Sequence, residues 1–354
     1  MPNASQRTAL FTAAATCLLP LLAFAAQQAP STAPAATTAS PTQPATPPAT
    51  ARTPPDAATQ EKGLGLTGPA NPALPSLILV GDSTVRNGHG LGSDGLWGWG
   101  APIADLFDPV KINVVNRAIG GLSSHSYISA GHWDNTLALI KPGDFVLIQW
   151  GHNDGGINLP GAAPIPDAGA PPTPAPNTAS NKDPDPGATA APRAPRGPNV
   201  GGSLPGIGEE TLDVTNPRTG KVETVHTYGW YLRKYIADIR AKGATPILCS
   251  LVPRKIWVDN HIRRQSDTYQ LWAQQVAAAE HIGFVDLNEI IARRYDALGP
   301  AAVDPHFGDP HTHTTMAGAV LNAESVVAGL RALPGDPLAK YLSDKGRTIP
   351  PYKA

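Results

Sequence analysis

Five short runs dense in Ile, Val and Leu recur along the chain: Leu77–Val80, Ile112–Val115, Phe145–Trp150, Pro246–Leu251 and Phe284–Leu287. Each is nearly continuous in hydrophobicity, the pattern of a strand covered on both faces, as in a parallel sheet. Between and after them lie stretches with apolar residues at helical spacing. "TYGWYLRKYIADIRAKGA" ends at Gly243 and "HIRRQSDTYQLWAQQVAAAEHIG" at Gly283, each glycine placed as a C-cap, and "MAGAVLNAESVVAGLRAL" closes the domain. This alternation predicts the α/β class: a three-layer α/β/α sandwich on a parallel five-stranded sheet, over residues 76–333. Ligands of such sheets bind at the carboxyl ends of the strands. The residues just after each run are therefore where chemistry is expected.

Two stretches break the pattern. Residues 26–75 and about 157–203 are rich in Pro, Ala and Thr, too poor in apolar surface to offset the entropy of ordering, and read as a linker and an insertion. Ahead of the linker, Arg7, an apolar run from Ala9 to Ala25 and the small-x-small triplet Ala23-Phe24-Ala25 form a secretory signal peptide, residues 1–25. Residues 334–354 are left as a C-terminal tail. The reading is a secreted or periplasmic protein with no membrane span after cleavage. Once the leader is removed, Cys249 is the remaining cysteine; it lies in an apolar strand run and reads as a buried thiol, so stability rests on a packed core. A net charge of −1 gives no reason to expect nucleic acid as a partner.

At the strand ends the sequence reads "GDST" (Gly81–Thr84), "NRAIGGLSSHSY" with Gly120 and Gly121, "WGHNDGG" with His152, Asn153 and Asp154, and, before the last helix, "FGDPHTHTTMAGA". Each cluster alone is ordinary turn chemistry. Together they hold what ester hydrolysis requires. Ser83 is a nucleophile, His313 a base for its proton, and Asp309 an acceptor for the second imidazole nitrogen. Backbone N–H groups of Ser83 and Gly121 and the Asn153 amide are donors for an oxyanion. The His311/His313 pair has no partner cluster that would complete a metal site, so neither metal nor cofactor is expected. Asp82 reads as a brace for the turn, and His152 and Asp154 as supporting hydrogen-bond partners. Trp97, Trp99 and Trp133 are candidates for sugar stacking, set against core packing.

Ser83, Gly121, Asn153 and His313, in this order, resemble the SGNH/GDSL hydrolase superfamily. The finer features "GDSTV", "SSHSY", "WGHNDGG", "SLPGIGEET", "VHTYGWYLRKYI" and "HTHTTMAGA" are similar to the rhamnogalacturonan acetylesterase family. The resemblance covers about Leu77 to Leu333 and implies a flavodoxin-like sandwich that removes O-acetyl groups from pectic polysaccharide. One departure stands out. The family pattern places the acid three residues before the base; here Pro310 holds that position and Asp309 lies four before His313. Asp309, Asp304 or a backbone carbonyl is then left to orient the imidazole, while His311 reads as structural. The expected function is deacetylation of a plant cell-wall polysaccharide, rhamnogalacturonan first. The alternatives are an acetyl xylan esterase or general GDSL esterase, and a non-catalytic carbohydrate-binding protein.

Overall fold

Leu77, Ile78, Leu79 and Val80 are all fully buried, because the strand they form is an interior strand of the sheet, paired on both edges and covered on both faces. The computed structural model describes residues 56–86, 92, 94–157, 201–216 and 220–354. The expected signal peptide, most of the linker and the body of the insertion lie outside them.

The chain enters through α1 (Ala57–Gly63), then β1 (Ser76–Gly81), a 3-10 turn (Pro102–Leu106) and β2 (Asn113–Asn116). Helices α2 (Ser124–Ser129) and α3 (His132–Leu137) lead to β3 (Phe145–Gln149). A hairpin of β4 (Thr211–Thr215) and β5 (Val222–His226) precedes α4 (Tyr228–Ala241) and β6 (Thr245–Cys249). After it come β7 (Trp257–Val258), β8 (His261–Ile262), α5 (Tyr269–Ala279), β9 (Gly283–Val285), α6 (Leu287–Leu298) and α7 (Pro300–Val303). The chain closes with α8 (Met316–Arg331) and α9 (Asp344–Arg347).

Five strands pair in parallel in the order β2-β1-β3-β6-β9. This is the flavodoxin-like order, with its switch point between β1 and β3. Side chains alternate across the sheet, as a two-residue period demands. Leu77, Leu79, Leu147, Ile247 and Val285 pack against α6, α8 and the chain's last residues. Ile78, Val80, Val146, Ile148 and Leu248 pack against α2 to α5. Trp99 and Trp133 are both about fully buried and serve the core, which answers the question of their role.

Four expectations need correction. The linker does not run to residue 75: α1 is capped by Asp56, its Glu61 is buried against Arg117 and His132, and Leu64 and Leu66 pack on the core. The insertion is bounded by residues that belong to the fold, since Ile157, Ser203 and Leu204 are buried. The C-terminal residues are not a loose tail, for Leu338 and Leu342 are buried in the core and Phe107 bridges to Leu342. Finally, the helix expected from His261 to a C-cap at Gly283 is shorter at both ends: it runs Tyr269–Ala279, and Gly283 opens β9 instead. Asp259 and Asn260 both have positive φ, +49° and +63°, so the chain reverses in a two-residue hairpin turn between β7 and β8.

Candidate active site

Ser83 sits just past the end of β1. The Asp82 carbonyl accepts from the Val85 and Arg86 N–H groups at 3.2 and 3.0 Å, closing a tight turn whose apex is Ser83–Thr84. Beneath it the Asp82 carboxylate is fully buried and accepts both the Thr84 N–H and hydroxyl through Oδ1, each at 2.8 Å. A buried chain continues from there. Gln149 Nε2 donates to Thr84 Oγ1 at 2.7 Å, and Trp99 Nε1 donates to Gln149 Oε1 at 2.8 Å. Gly81 is fixed by packing: a Cβ there would lie 2.4 Å from Val85 Cγ2 and 2.7 Å from the Gln149 carbonyl. Asp82 therefore braces the turn, as expected from its place before the serine. Burial pushes its carboxyl above the usual range, against the hydrogen bonds from Thr84.

His313 comes to Ser83 from 230 residues away, with Ser83 Oγ 2.8 Å from His313 Nε2. Its other nitrogen, Nδ1, lies 2.6 Å from Asp309 Oδ2. The four-residue spacing is thus no obstacle, and the loop explains why. Phe307 and Thr314 bridge as antiparallel partners and close the loop between them. Inside it, Asp309 Oδ1 accepts the N–H groups of His311, Thr312 and His313 at 3.1, 2.6 and 3.0 Å. One carboxylate oxygen shapes the loop while the other faces the imidazole. Burial alone would raise the Asp309 pKa, but the His313 and Thr312 N–H groups and the imidazole outweigh it and hold the pKa below the ordinary value. Asp304, the rival orienter, is exposed and pairs with Lys255 instead. His311 turns its Nδ1 to Thr312 Oγ1 at 2.7 Å, away from any bond to Ser83.

The two donor elements flank the serine's strand, one from each neighbouring strand. Gly121 follows β2 with φ +80°, a left-handed conformation that suits glycine, and a Cβ there would meet nothing within 4 Å. Asn153 follows β3, and its Nδ2 donates to the Leu122 carbonyl at 3.0 Å, tying its turn to the glycine loop. Asp154 makes the tie firm. Fully buried, it accepts the Ser124 N–H at 3.1 Å, the Ser124 and Ser203 hydroxyls, and the Gly151 N–H at 2.9 Å. Burial pushes its pKa up to about 6 in spite of these bonds. The imidazole of His152 is held well below its ordinary pKa, first by burial and then by the nearby charge of Arg254.

Trp97 is half-buried beside this centre, its backbone paired with Thr314. Among the described residues no group of three or more His, Cys, Asp or Glu side chains is placed to hold a metal ion. One site neighbour escaped the sequence reading. Arg254 Nη1 donates to Thr312 Oγ1 at 2.6 Å, and Nη2 approaches the His152 carbonyl at 3.5 Å. The only sequence signal was its place a few residues past the end of a strand run.

Residues 79–321 match the model of the GDSL-like Lipase/Acylhydrolase family. A rhamnogalacturonan acetylesterase of Emericella nidulans is 27% identical over 250 residues, covering 71% of this chain and 82% of that protein. The Bacillus subtilis protein named "Probable rhamnogalacturonan acetylesterase YesY" is 28% identical over 271 residues, covering 75% and 96%. The crystal structure of protein YxiM from Bacillus subtilis shares the fold, with a TM-score of 0.50 at 21% identity; the match covers 73% of this chain and 56% of that one. With five strands in this order, a serine at the end of β1 and a family match over most of its length, the chain belongs to the GDSL-like lipase/acylhydrolase (SGNH) family of carboxylic ester hydrolases.

Proposed function

We propose that this protein is an exported serine esterase that removes O-acetyl groups from a plant cell-wall polysaccharide, rhamnogalacturonan first. The observation that carries the mechanism is the unbroken relay Ser83 Oγ–His313 Nε2–His313 Nδ1–Asp309 Oδ2, at 2.8 and 2.6 Å. The relatives' names and their coverage support the substrate class. The leader at residues 1–25 supports export.

In the reactive tautomer His313 Nδ1–H donates to Asp309, leaving the Nε2 lone pair to accept the Ser83 proton. Oγ attacks the acetyl carbonyl as its proton moves to Nε2, and the carbonyl electron pair becomes an oxyanion. The Ser83 and Gly121 N–H groups and the Asn153 amide receive that charge; removal of one such donor costs about 3 kcal/mol of barrier. Collapse breaks the C–O bond to the sugar, and Nε2–H supplies the proton that the leaving oxygen takes. Water then gives a proton to His313 Nε2 as it attacks the acetyl-serine; collapse breaks the bond to Ser83 Oγ, which takes the Nε2 proton back, and acetate leaves.

Acetate release from acetylated rhamnogalacturonan, measured beside acetylated xylan and with Ser83→Ala as control, tests the reading. Release from the pectic polymer that vanishes in the variant is expected. Release from xylan alone discards the substrate, and activity that survives Ser83→Ala discards the mechanism.

A further inference from the structure

Four neighbouring strands each deliver a residue to one edge of the sheet. In spatial order, β2 leads to Gly121, β1 to Ser83, β3 to Asn153, and β6 through Ser250–Pro253 to Arg254. The first three have roles in the proposed mechanism; the fourth does not. Arg254 lies between the two halves of that machinery. Its Nη1 donates to Thr312 Oγ1 at 2.6 Å, one residue before His313. Its Nη2 points at the carbonyl of His152, one residue before Asn153, at a distance of 3.5 Å that is long for a hydrogen bond. The next residue repeats the attachment, since the Lys255 N–H donates to the His311 carbonyl at 2.8 Å.

The loop that bears His313 needs such an anchor. Asp309 organises it internally, and Thr314 pairs it with Trp97 on the side of β1. Among the contacts described, Arg254 and Lys255 tie it toward β3 and β6. A guanidinium suits this task better than an ammonium, because its planar fork sets two donors at a fixed angle.

We infer that Arg254 is a positioning residue that holds the histidine loop in register with the asparagine turn, so that base and oxyanion donor address the same acetyl carbon. This rests on the esterase mechanism above. Misplacement of reacting groups by about 1 Å costs on the order of 100-fold in rate. Arg254→Ala is therefore expected to lower kcat on p-nitrophenyl acetate by about 10- to 100-fold while KM stays within about threefold. Arg254→Lys should recover little of the loss. Millimolar methylguanidinium should restore part of the Arg254→Ala rate where the same concentration of sodium chloride does not. Thr312→Val should cause a smaller drop and combine with Arg254→Ala less than additively, as partners in one contact do.

An unchanged kcat in Arg254→Ala, with wild type active and Ser83→Ala inert, overturns the inference and leaves the esterase reading standing. A rise in KM alone overturns it by assigning Arg254 to substrate binding, and full recovery with lysine overturns it by reducing the residue to a point charge. Activity that persists in Ser83→Ala removes the esterase mechanism and the inference with it. Thermal unfolding of each variant identifies loss of fold; if Arg254→Ala fails to fold, Arg254→Lys and Thr312→Val decide by the same kcat–KM split.

Discussion

Asp309 does two jobs with two oxygens, and this division makes its replacement informative. Asparagine at 309 keeps an acceptor for the N–H groups of residues 311–313, so the loop should persist, but its second group is an amide that is a poor match for His313 Nδ1–H. We expect Asp309→Asn to lower kcat by on the order of 1,000- to 10,000-fold with thermal stability nearly retained, measured on p-nitrophenyl acetate. A variant that keeps more than a tenth of wild-type kcat would refute the orienting role. Because the Asp309 pKa is lowered, its carboxylate stays charged below the ordinary range, so the acid limb of the rate profile belongs to another group. Asp154 acts in the opposite sense. With its pKa raised from 3.8 to about 6, the folded state binds a proton that the unfolded chain releases, so stability falls as pH rises between these values. The loss amounts to about 3 kcal/mol at 1.36 kcal/mol per pH unit. Unfolding by denaturant at pH 4 and pH 7 should show that slope, and Asp154→Asn should flatten it; equal slopes in the two proteins would sink the assignment. Ser83, Gly121 and Asn153 were readable as residues because each stands in a short polar or glycine-rich block after a strand, and His313 because its polar block stands directly before the last long helix. Arg254 was not, because a lone arginine after an apolar run looks like any solvated residue until the loop it reaches is in place.

At the level of elements, legibility followed the strength of the periodic signal. The five sheet strands, α4 and α8 fall where hydrophobic spacing placed them, within a few residues, whereas α5 starts eight residues later than expected. The hairpin of β7 and β8 was hidden because its strands are two residues each and its turn, Asp259-Asn260, sits beside charged residues that continue a helical pattern. Helix α1 was hidden for another reason: its docking rests on buried polar contacts that composition does not reveal. Glu61 pairs with Arg117, accepts from Asn135 at 3.2 Å, and lies 2.9 Å from His132 Nδ1. Breaking a buried pair strands its partner, at a cost of about 3–5 kcal/mol. Glu61→Gln keeps the shape and removes the charge, so its unfolding free energy should drop by about that amount. A change below about 0.5 kcal/mol would mean that the Glu61 charge does not hold α1 in place.

For the molecule as a whole, the last residues are as structural as the first strands. Tyr352 N–H donates to the Ala328 carbonyl at 2.9 Å, Arg331 reaches the carbonyls of Arg347 and Ile349, and Leu338 and Leu342 fill the core beside α8. Removing residues 334–354 should therefore yield protein that is insoluble or unfolds at a much lower temperature. Truncated protein with the full-length melting temperature would contradict this. The sequence reading missed it because "GDPLAKYLSDKGRTIPPYKA" is polar on average, and its two buried leucines form no periodic stripe. The flavodoxin-like order was legible only through the family resemblance, since spacing identifies strands without telling which of them are neighbours.

The bond between Ser83 and His313 closes across 230 residues, and that separation governs when the enzyme is born. Parallel strands joined by crossovers close long loops before they gain contacts, which makes such sheets slow to assemble. As the polypeptide emerges from synthesis, its serine, glycine loop and asparagine turn are all delivered well before His313. In the proposed mechanism hydrolysis waits for His313 to reach Ser83, so ester turnover reports closure of this long-range contact, and a chain interrupted before His313 is expected to be chemically silent.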